Sequence, residues 1–519
     1  MPDNLRHAQY GQDSIQVDDP QTVQFPVRFN PVIGSFVYPG GTLVAATPLR
    51  SLLAVGDSIT SYFEATVTVT SITNLGNGTA RVNTAGHSMC VGQKIRTAAA
   101  PDPTVNRLSA SIISITDANN FIISLDGQQH TVTGNSPVMA RQDRLSTRGW
   151  LNWLETLAKQ PFAKTIAAVP GATISQMRSV VSNLPVGQED FATICAGMND
   201  IYSAGNSLAT LQADFAGLLQ AVKARTSNIC IISVPCRDSA DGAWDTTKQD
   251  IHTAFNRWLY DLAAYFGYDF VDSWAAVQGG VTYVNAANTN PDPNTSMAFD
   301  TTHPSMRGAY AIADAVLNVC SKKLGVRGWK APHAAAINSA VGNLLTGSNF
   351  ATNTAGVATG WLRDSVTANT SAVFTTEART VVADGDSSGF NQVITANYGT
   401  STGTAEFRFR KNGIHTVLTA GNSYQMYVPF TVTGALGLIG LELACFGTVG
   451  STFDLIFGHN QDSNTDAMVG SFSGVLMTPV FVCPAGLTNM DTWVRGYLTS
   501  AQNTDVIVKL YQPLLKRIT

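Results

Sequence analysis

Two short segments far apart in the chain carry side chains whose types and spacing fit acyl transfer: Gly56-Asp57-Ser58-Ile59 and Asp300-Thr301-Thr302-His303-Pro304. Ser58 follows an apolar run ending in Gly-Asp, the setting of a sharp strand-to-helix turn. Such a turn raises the hydroxyl to the top of a sheet and aims the backbone N–H at a bound oxyanion, two properties a nucleophile needs. Alone, the tetrapeptide reads first as an ordinary Ser/Asp helix cap. A hydroxyl nucleophile also needs a base, and of the eight histidines His303 is the one read as paired with an acid, Asp300, three residues before it and just ahead of a helical pattern. Asp300 can accept from its Nδ1–H, fixing the tautomer that leaves Nε2 to take the Ser58 proton. The remaining histidines read as surface or packing groups: His7 in an amino-terminal arm, His87 and His130 in a β-rich stretch, His252 in a helix, and His333, His415 and His459 further on.

Acyl transfer also needs donors for the developing oxyanion. Gly197-Met198-Asn199-Asp200 places an amide side chain after one apolar run, and Val169-Pro170-Gly171 places a backbone N–H without Cβ interference after another. Singly, Asn199 reads as a helix cap and Gly171 as a turn glycine. The weight lies in the convergence, because all of these features follow strand-like runs.

Those runs begin at Ser51, Lys164, Phe191, Asn228 and Tyr268, and each is apolar on both faces, as parallel strands covered on both sides are. Helical patterns lie between them at 146–159, 174–183, 208–225, 246–266 and 305–323. The alternation predicts a three-layer, doubly wound α/β domain of flavodoxin-like type, whose ligands bind beyond the carboxyl ends of the strands. Residues 66–141 break the pattern with Thr/Val/Ile alternation and Gly/Asn turns, which predicts a small β module inserted between the first strand and the first helix. Residues 329–519 are rich in Thr, Ser, Gly and Asn and carry strand-like runs without helices, which predicts a β-sandwich. The chain thus divides into an arm or linker (1–48), an α/β domain in two pieces (49–65 and 142–328), the insert (66–141) and the sandwich (329–519).

With these pieces in order, the chain resembles the SGNH/GDSL hydrolase superfamily: GDSI at Gly56–Ile59, a lone glycine at Gly171, GMND at Gly197–Asp200 and DTTHP at Asp300–Pro304. The resemblance covers roughly residues 50–325. It implies Ser58 as nucleophile, His303 as base and acid, Asp300 as its orienter, and an oxyanion hole of the Ser58 N–H, the Gly171 N–H and the Asn199 side chain. Ile59 stands where the family more often has Leu, and the segment around Gly171 lacks the usual flanking Asn. In the insert, GHSMCVGQKIR followed by ITDANNFIISL resembles small β-barrel modules of phage tail proteins. NLLTGSNF and ATGW, which open the last region, resemble the start of jelly-roll carbohydrate-binding modules, with a structural or trimerising sandwich as the alternative.

Composition narrows the function. Charged residues make up 13% of the 519, with a net charge of −4, so the basic surface of a nucleic-acid binder is not expected. Apolar content of 44% argues against a disordered acidic chain. No apolar run reaches membrane-spanning length and no signal peptide is seen, so membrane insertion is not expected. The seven cysteines sit mostly in or beside apolar runs and read as buried free thiols; neither CxxC nor HExxH occurs, and the chemistry calls for no metal or cofactor.

The loops at 237–250 and 283–299 are polar, which suits a hydrated sugar better than a lipid, and Tyr202, Trp244 and Trp274 are candidate stacking platforms, with core packing the first expectation for Trp274. The leading expectation is a serine esterase that removes O-acetyl groups from a polysaccharide such as a bacterial capsule or O-antigen. As a phage tail component it would be extracellular or virion-borne, a homotrimer or attached to the tail. The alternatives are a secreted bacterial esterase acting on plant polysaccharide and a receptor-binding tail protein without activity.

Overall fold

The computed structural model describes residues 28–30, 35–37, 43–46, 50–61, 64–134, 136–185, 187–237, 243–278, 297–298, 300–324, 343–348, 350–364, 371–378, 390–399, 405–434, 437–449, 453–460, 471–499 and 504–518. At its centre is a parallel sheet of β1 (Ser51–Gly56), β2 (Ala163–Ala168), β3 (Phe191–Cys195), β4 (Ile229–Ile232) and β5 (Asp269–Val271), in spatial order 2-1-3-4-5. Residues 52–56 of β1 and all of β3 and β4 are buried, because helices cover both faces and leave no polar side of the sheet. The helices are α1 (Ser58–Ser61), α2 (Trp150–Ala158), α3 (Ile174–Ser182), α4 (Met198–Tyr202), α5 (Leu208–Lys223), α6 (Thr246–Phe266), α7 (Ser273–Gln278) and α8 (Met306–Leu324). The doubly wound alternation read from the sequence is therefore present, with α1, α4 and α7 added as short helices just beyond strand ends. In this strand order the winding switches from one side of β1 to the other between β1 and β3, the position at which open α/β sheets bind ligands.

Between α1 and α2 the chain builds antiparallel strands Glu64–Thr68, Ser71–Asn74, Thr79–Asn83, Lys94–Ala98, Arg107–Asp117, Asn120–Ser124 and Val138–Ser146. They enclose a separate core around Ile72, Val82, Ile95, Ile112, Phe121 and Met139. After α8, two antiparallel sheets face each other. Phe409 of one stacks on Trp361 at 4.5 Å and on Phe374 of the other at 6.3 Å, and Thr492 donates to Met426 Sδ across the gap at 2.9 Å.

Three features go beyond the sequence reading. The stretch expected as an arm contains strands Arg28–Asn30, Ser35–Val37 and Leu43–Ala46 in an antiparallel meander, with Phe29 opposite Phe36. Strand Val138–Ser146 pairs in parallel with Phe453–Asn460, so the insert and the last region share one continuous sheet. Helix α2 is buried along its whole length, because it lies between α8 and strand Phe472–Met477. There Trp153, Tyr310 and Phe472 meet edge to face at 5.5–6.1 Å. A Cβ on Gly474 would come within 2.6 Å of the Thr156 carbonyl, so this close approach requires glycine.

All seven cysteines are buried and free. Among the described residues no helix is long and apolar enough to cross a membrane, and no three His, Cys, Asp or Glu side chains cluster as metal ligands would.

Candidate active site

Ser58 opens α1 directly beyond β1. The Asp57 carbonyl accepts from Ser61 N–H at 2.9 Å and its carboxylate from Ile59 N–H at 3.0 Å, so the turn is closed by one residue's main chain and side chain together. From the far end of the α/β domain, the loop before α8 returns His303 to this point. His303 Nε2 lies 2.9 Å from Ser58 Oγ, and Nδ1 lies 2.7 Å from Asp300 Oδ2. The other Asp300 oxygen accepts from the N–H groups of Thr302 and His303, each at 2.7 Å. Burial alone would raise the Asp300 pKa, but the bond to His303, its charge and the two N–H donors overcome this and hold it near 2. Asp300 is thus an anion at neutral pH, oriented to accept from Nδ1–H, and Nε2 is left to exchange a proton with Ser58.

The corner opposite is built from β2 and β3. Val169 N–H donates to the Gly56 carbonyl at 3.1 Å, which ties the β2 turn to the end of β1. Gly171 in that turn has φ +75°. Gly197, two residues past β3 and directly before α4, has φ 127°, and a Cβ there would meet Phe255 at 2.8 Å, so glycine is required before Asn199. Asn199 Nδ2 donates to the Ala172 carbonyl at 3.1 Å and retains a second hydrogen for a ligand. The structure therefore gathers Ser58, His303, Asp300, Gly171 and Asn199 at the carboxyl ends of β1, β2 and β3.

Two buried carboxylates support this corner, and sequence reading did not single them out. Asp200 accepts from Ile174 N–H at 2.9 Å and Asn206 Nδ2 at 3.2 Å, clamping the start of α3 and with it the Gly171 turn. Burial raises its pKa to about 7 despite those bonds, and the nearby Asp57 adds to the rise. Burial also lifts Asp57 to about 6, against the pull of Ile59 N–H and His303. Their adjacency to Ser58 and Asn199 in GDSI and GMND was the available signal.

The proposed stacking platforms need correction. Trp244 is 6% exposed, and its Nε1 donates to Gln249 at 2.8 Å; Trp274 is 4% exposed and packs on His252 at 4.4 Å. Both rings belong to the packed layer around α6, where apolar area is better buried than offered to water. Tyr202 is half-buried, stacked on Trp244 at 6.4 Å, with the Arg237 guanidinium 3.5 Å from its ring centre. Arg237, read earlier only as the start of a polar loop, also donates to Thr302 Oγ1. Of the polar loops, residues 238–242, 283–296 and 299 lie outside the described residues, as do His7 and His333. Of the histidines expected at the surface or in packing, four bond to backbone groups: His87 with Asp117 and Met89, His130 with Thr97, His252 with Val234 and His415 with Met490.

Residues 132–311 match the GDSL-like Lipase/Acylhydrolase family. The match spans Gly171, Asn199, Asp300 and His303 and starts beyond Ser58, which the insert separates from the rest. No curated protein matches the chain. Among solved structures, an acetylxylan esterase from Geobacillus stearothermophilus is 16% identical, covering 54% of this chain and 97% of its own, with a TM-score of 0.29. An acylhydrolase from Bacteroides fragilis, described as putative, is 18% identical over 34% of this chain and 83% of its own, at 0.28. A lipolytic protein of the G-D-S-L family from Veillonella parvula is 18% identical over 34% and 88%, at 0.27.

Proposed function

We propose that this chain, whose residues 132–311 match the GDSL-like Lipase/Acylhydrolase family, is a serine esterase of SGNH type releasing acetyl groups from sugar hydroxyls. The observation that carries the reading is the unbroken line Ser58 Oγ, His303 Nε2, His303 Nδ1, Asp300 Oδ2 at 2.9 and 2.7 Å. His303 takes the Ser58 proton as Oγ attacks the acyl carbon, and the oxyanion forms toward Ser58 N–H, Gly171 N–H and Asn199 Nδ2. Collapse expels the sugar alkoxide, which receives the proton from His303. Water, deprotonated by His303, then attacks the acyl-enzyme, releasing acetate and Ser58. Asp300 stabilises the imidazolium at each stage.

Polar side chains after Arg237 favour a hydrated substrate: Asp245, Thr246 and Thr247 are exposed, and Lys248 lies over the half-buried Tyr202 ring. The proposal extends to an acetylated bacterial surface polysaccharide as partner and to a phage tail component, homotrimeric or tail-attached. Its support is the charge-poor, β-rich flanks and the motif resemblances within them.

The test is acetate release from O-acetylated capsule and from acetylated xylan, with p-nitrophenyl acetate as the small ester, by wild type and Ser58→Ala. Ser58→Ala is expected to lose activity on all three. Full activity in that variant would remove the assignment, and preference for long-chain esters would remove the sugar.

A further inference from the structure

We infer that Arg237 is a positioning residue of this reaction: its guanidinium reaches from the Tyr202 ring to Thr302 and holds the Asp300–His303 turn against the helix that carries Asn199. The inference rests on the serine-esterase reading above. Arg237 follows β4 at the carboxyl end of the sheet and is only 5% exposed. Burying a guanidinium is costly unless it is bonded and stacked. Both compensations are present, with one N–H donating to Thr302 Oγ1 and the cation seated 3.5 Å from the centre of the Tyr202 ring and 5.7 Å from that of Trp244.

The two ends of this contact belong to the two halves of the site. Thr302 lies inside the turn, where its own N–H donates to Asp300. Tyr202 closes α4, the helix in which Asn199 stands. Among the described residues the turn is also tied by the bridge of Ala298 with Pro304 and the bond from Ser305 N–H to the Met297 carbonyl, and the Asp300 side chain is 41% exposed. A misplacement of about 1 Å costs on the order of 100-fold in rate, so a rigid tie between proton acceptor and oxyanion donors has a kinetic value. Lysine would keep the charge, but it lacks the planar fork that stacks and donates at once.

The experiment measures p-nitrophenyl acetate hydrolysis by the full chain carrying Arg237→Gln, Arg237→Lys, Arg237→Ala, Thr302→Val or Arg237→Gln with Thr302→Val. The expected result for Arg237→Gln is a kcat lower by about 10- to 100-fold, with KM within about twofold. The double variant should fall no further than the worse single one, since both break the same tie. Arg237→Lys should recover little, whereas millimolar guanidinium should raise the kcat of Arg237→Ala. Labelling of Ser58 by a fluorophosphonate should slow in step, whatever the preferred ester. Wild-type kcat in Arg237→Gln, additive losses, or a loss that follows Tm and ignores guanidinium would overturn the inference. An active Ser58→Ala would instead overturn the esterase reading. An inactive Ser58→Ala beside a fully active Arg237→Gln would remove the role of Arg237 alone.

Discussion

The two halves of the site are built on opposite physical plans. The half proposed to hold the oxyanion sits on strand ends: Asp57 and Asp200 are 1% and 0% exposed, and burial raises both carboxyl pKa values. The acid–base half is a turn before α8 with its aspartate half in water, where His303 and two N–H donors pull the pKa down. One half uses burial to stay rigid and tolerates carboxylates that resist ionising. The other keeps a ready anion and relies on ties such as Arg237 for position. The difference teaches that one site can separate rigidity from charge by placing them on different elements.

Breaking the acid–base half outright gives the largest effect: His303→Ala should lower kcat about 10⁴-fold, read from p-nitrophenyl acetate kinetics. Asn199→Ala, which removes one donor from the rigid half, should cost about 10²- to 10³-fold in kcat. A smaller effect, of opposite sign in the two halves, is expected in stability against pH. Asp200 binds its proton more tightly folded than unfolded, so the stability it contributes is complete below its ordinary pKa of 3.8 and is lost as pH rises through about 7. Asp200→Asn should therefore flatten the decline of Tm between those values, and an unchanged slope would contradict the buried, proton-holding state. Asp300 has the reverse linkage, with stability present above 3.8 and lost as pH falls through about 2. Asp300→Asn should remove only a shallow acid limb of the Tm curve, because its exposure lets solvent screen the interaction.

How much was legible depended on whether the signal was local. The alternation of apolar runs and helical periods gave β1 to β5 and the longer helices, since each needs only its own pattern. Helix 246–266 matched residue for residue, because Asp245 caps its start and Gly267 ends it in a left-handed turn. The contacts of Ser58 with His303 and of His303 with Asp300 were legible because hydroxyl, imidazole and carboxylate stand in short motifs whose residue types suit such bonds. Trp244 was misjudged because an aromatic in a polar loop looks the same in sequence whether its ring faces solvent or folds back onto α6. Arg237 was missed for a similar reason: its meaning lies in Tyr202 and Thr302, which only folding brings beside it.

The sequence by itself determined the layer architecture, the order of the motifs and the residue types that can transfer an acyl group, all of which are written in short-range periodicity and spacing. Only the tertiary structure decided that the insert and the last region share one sheet through Val138–Ser146 and Phe453–Asn460. It alone also decided that α2 is sealed between domains and that a buried cation bridges the two halves of the site. Such contacts join residues far apart in the chain, and complementarity of that kind leaves no periodic trace in either partner.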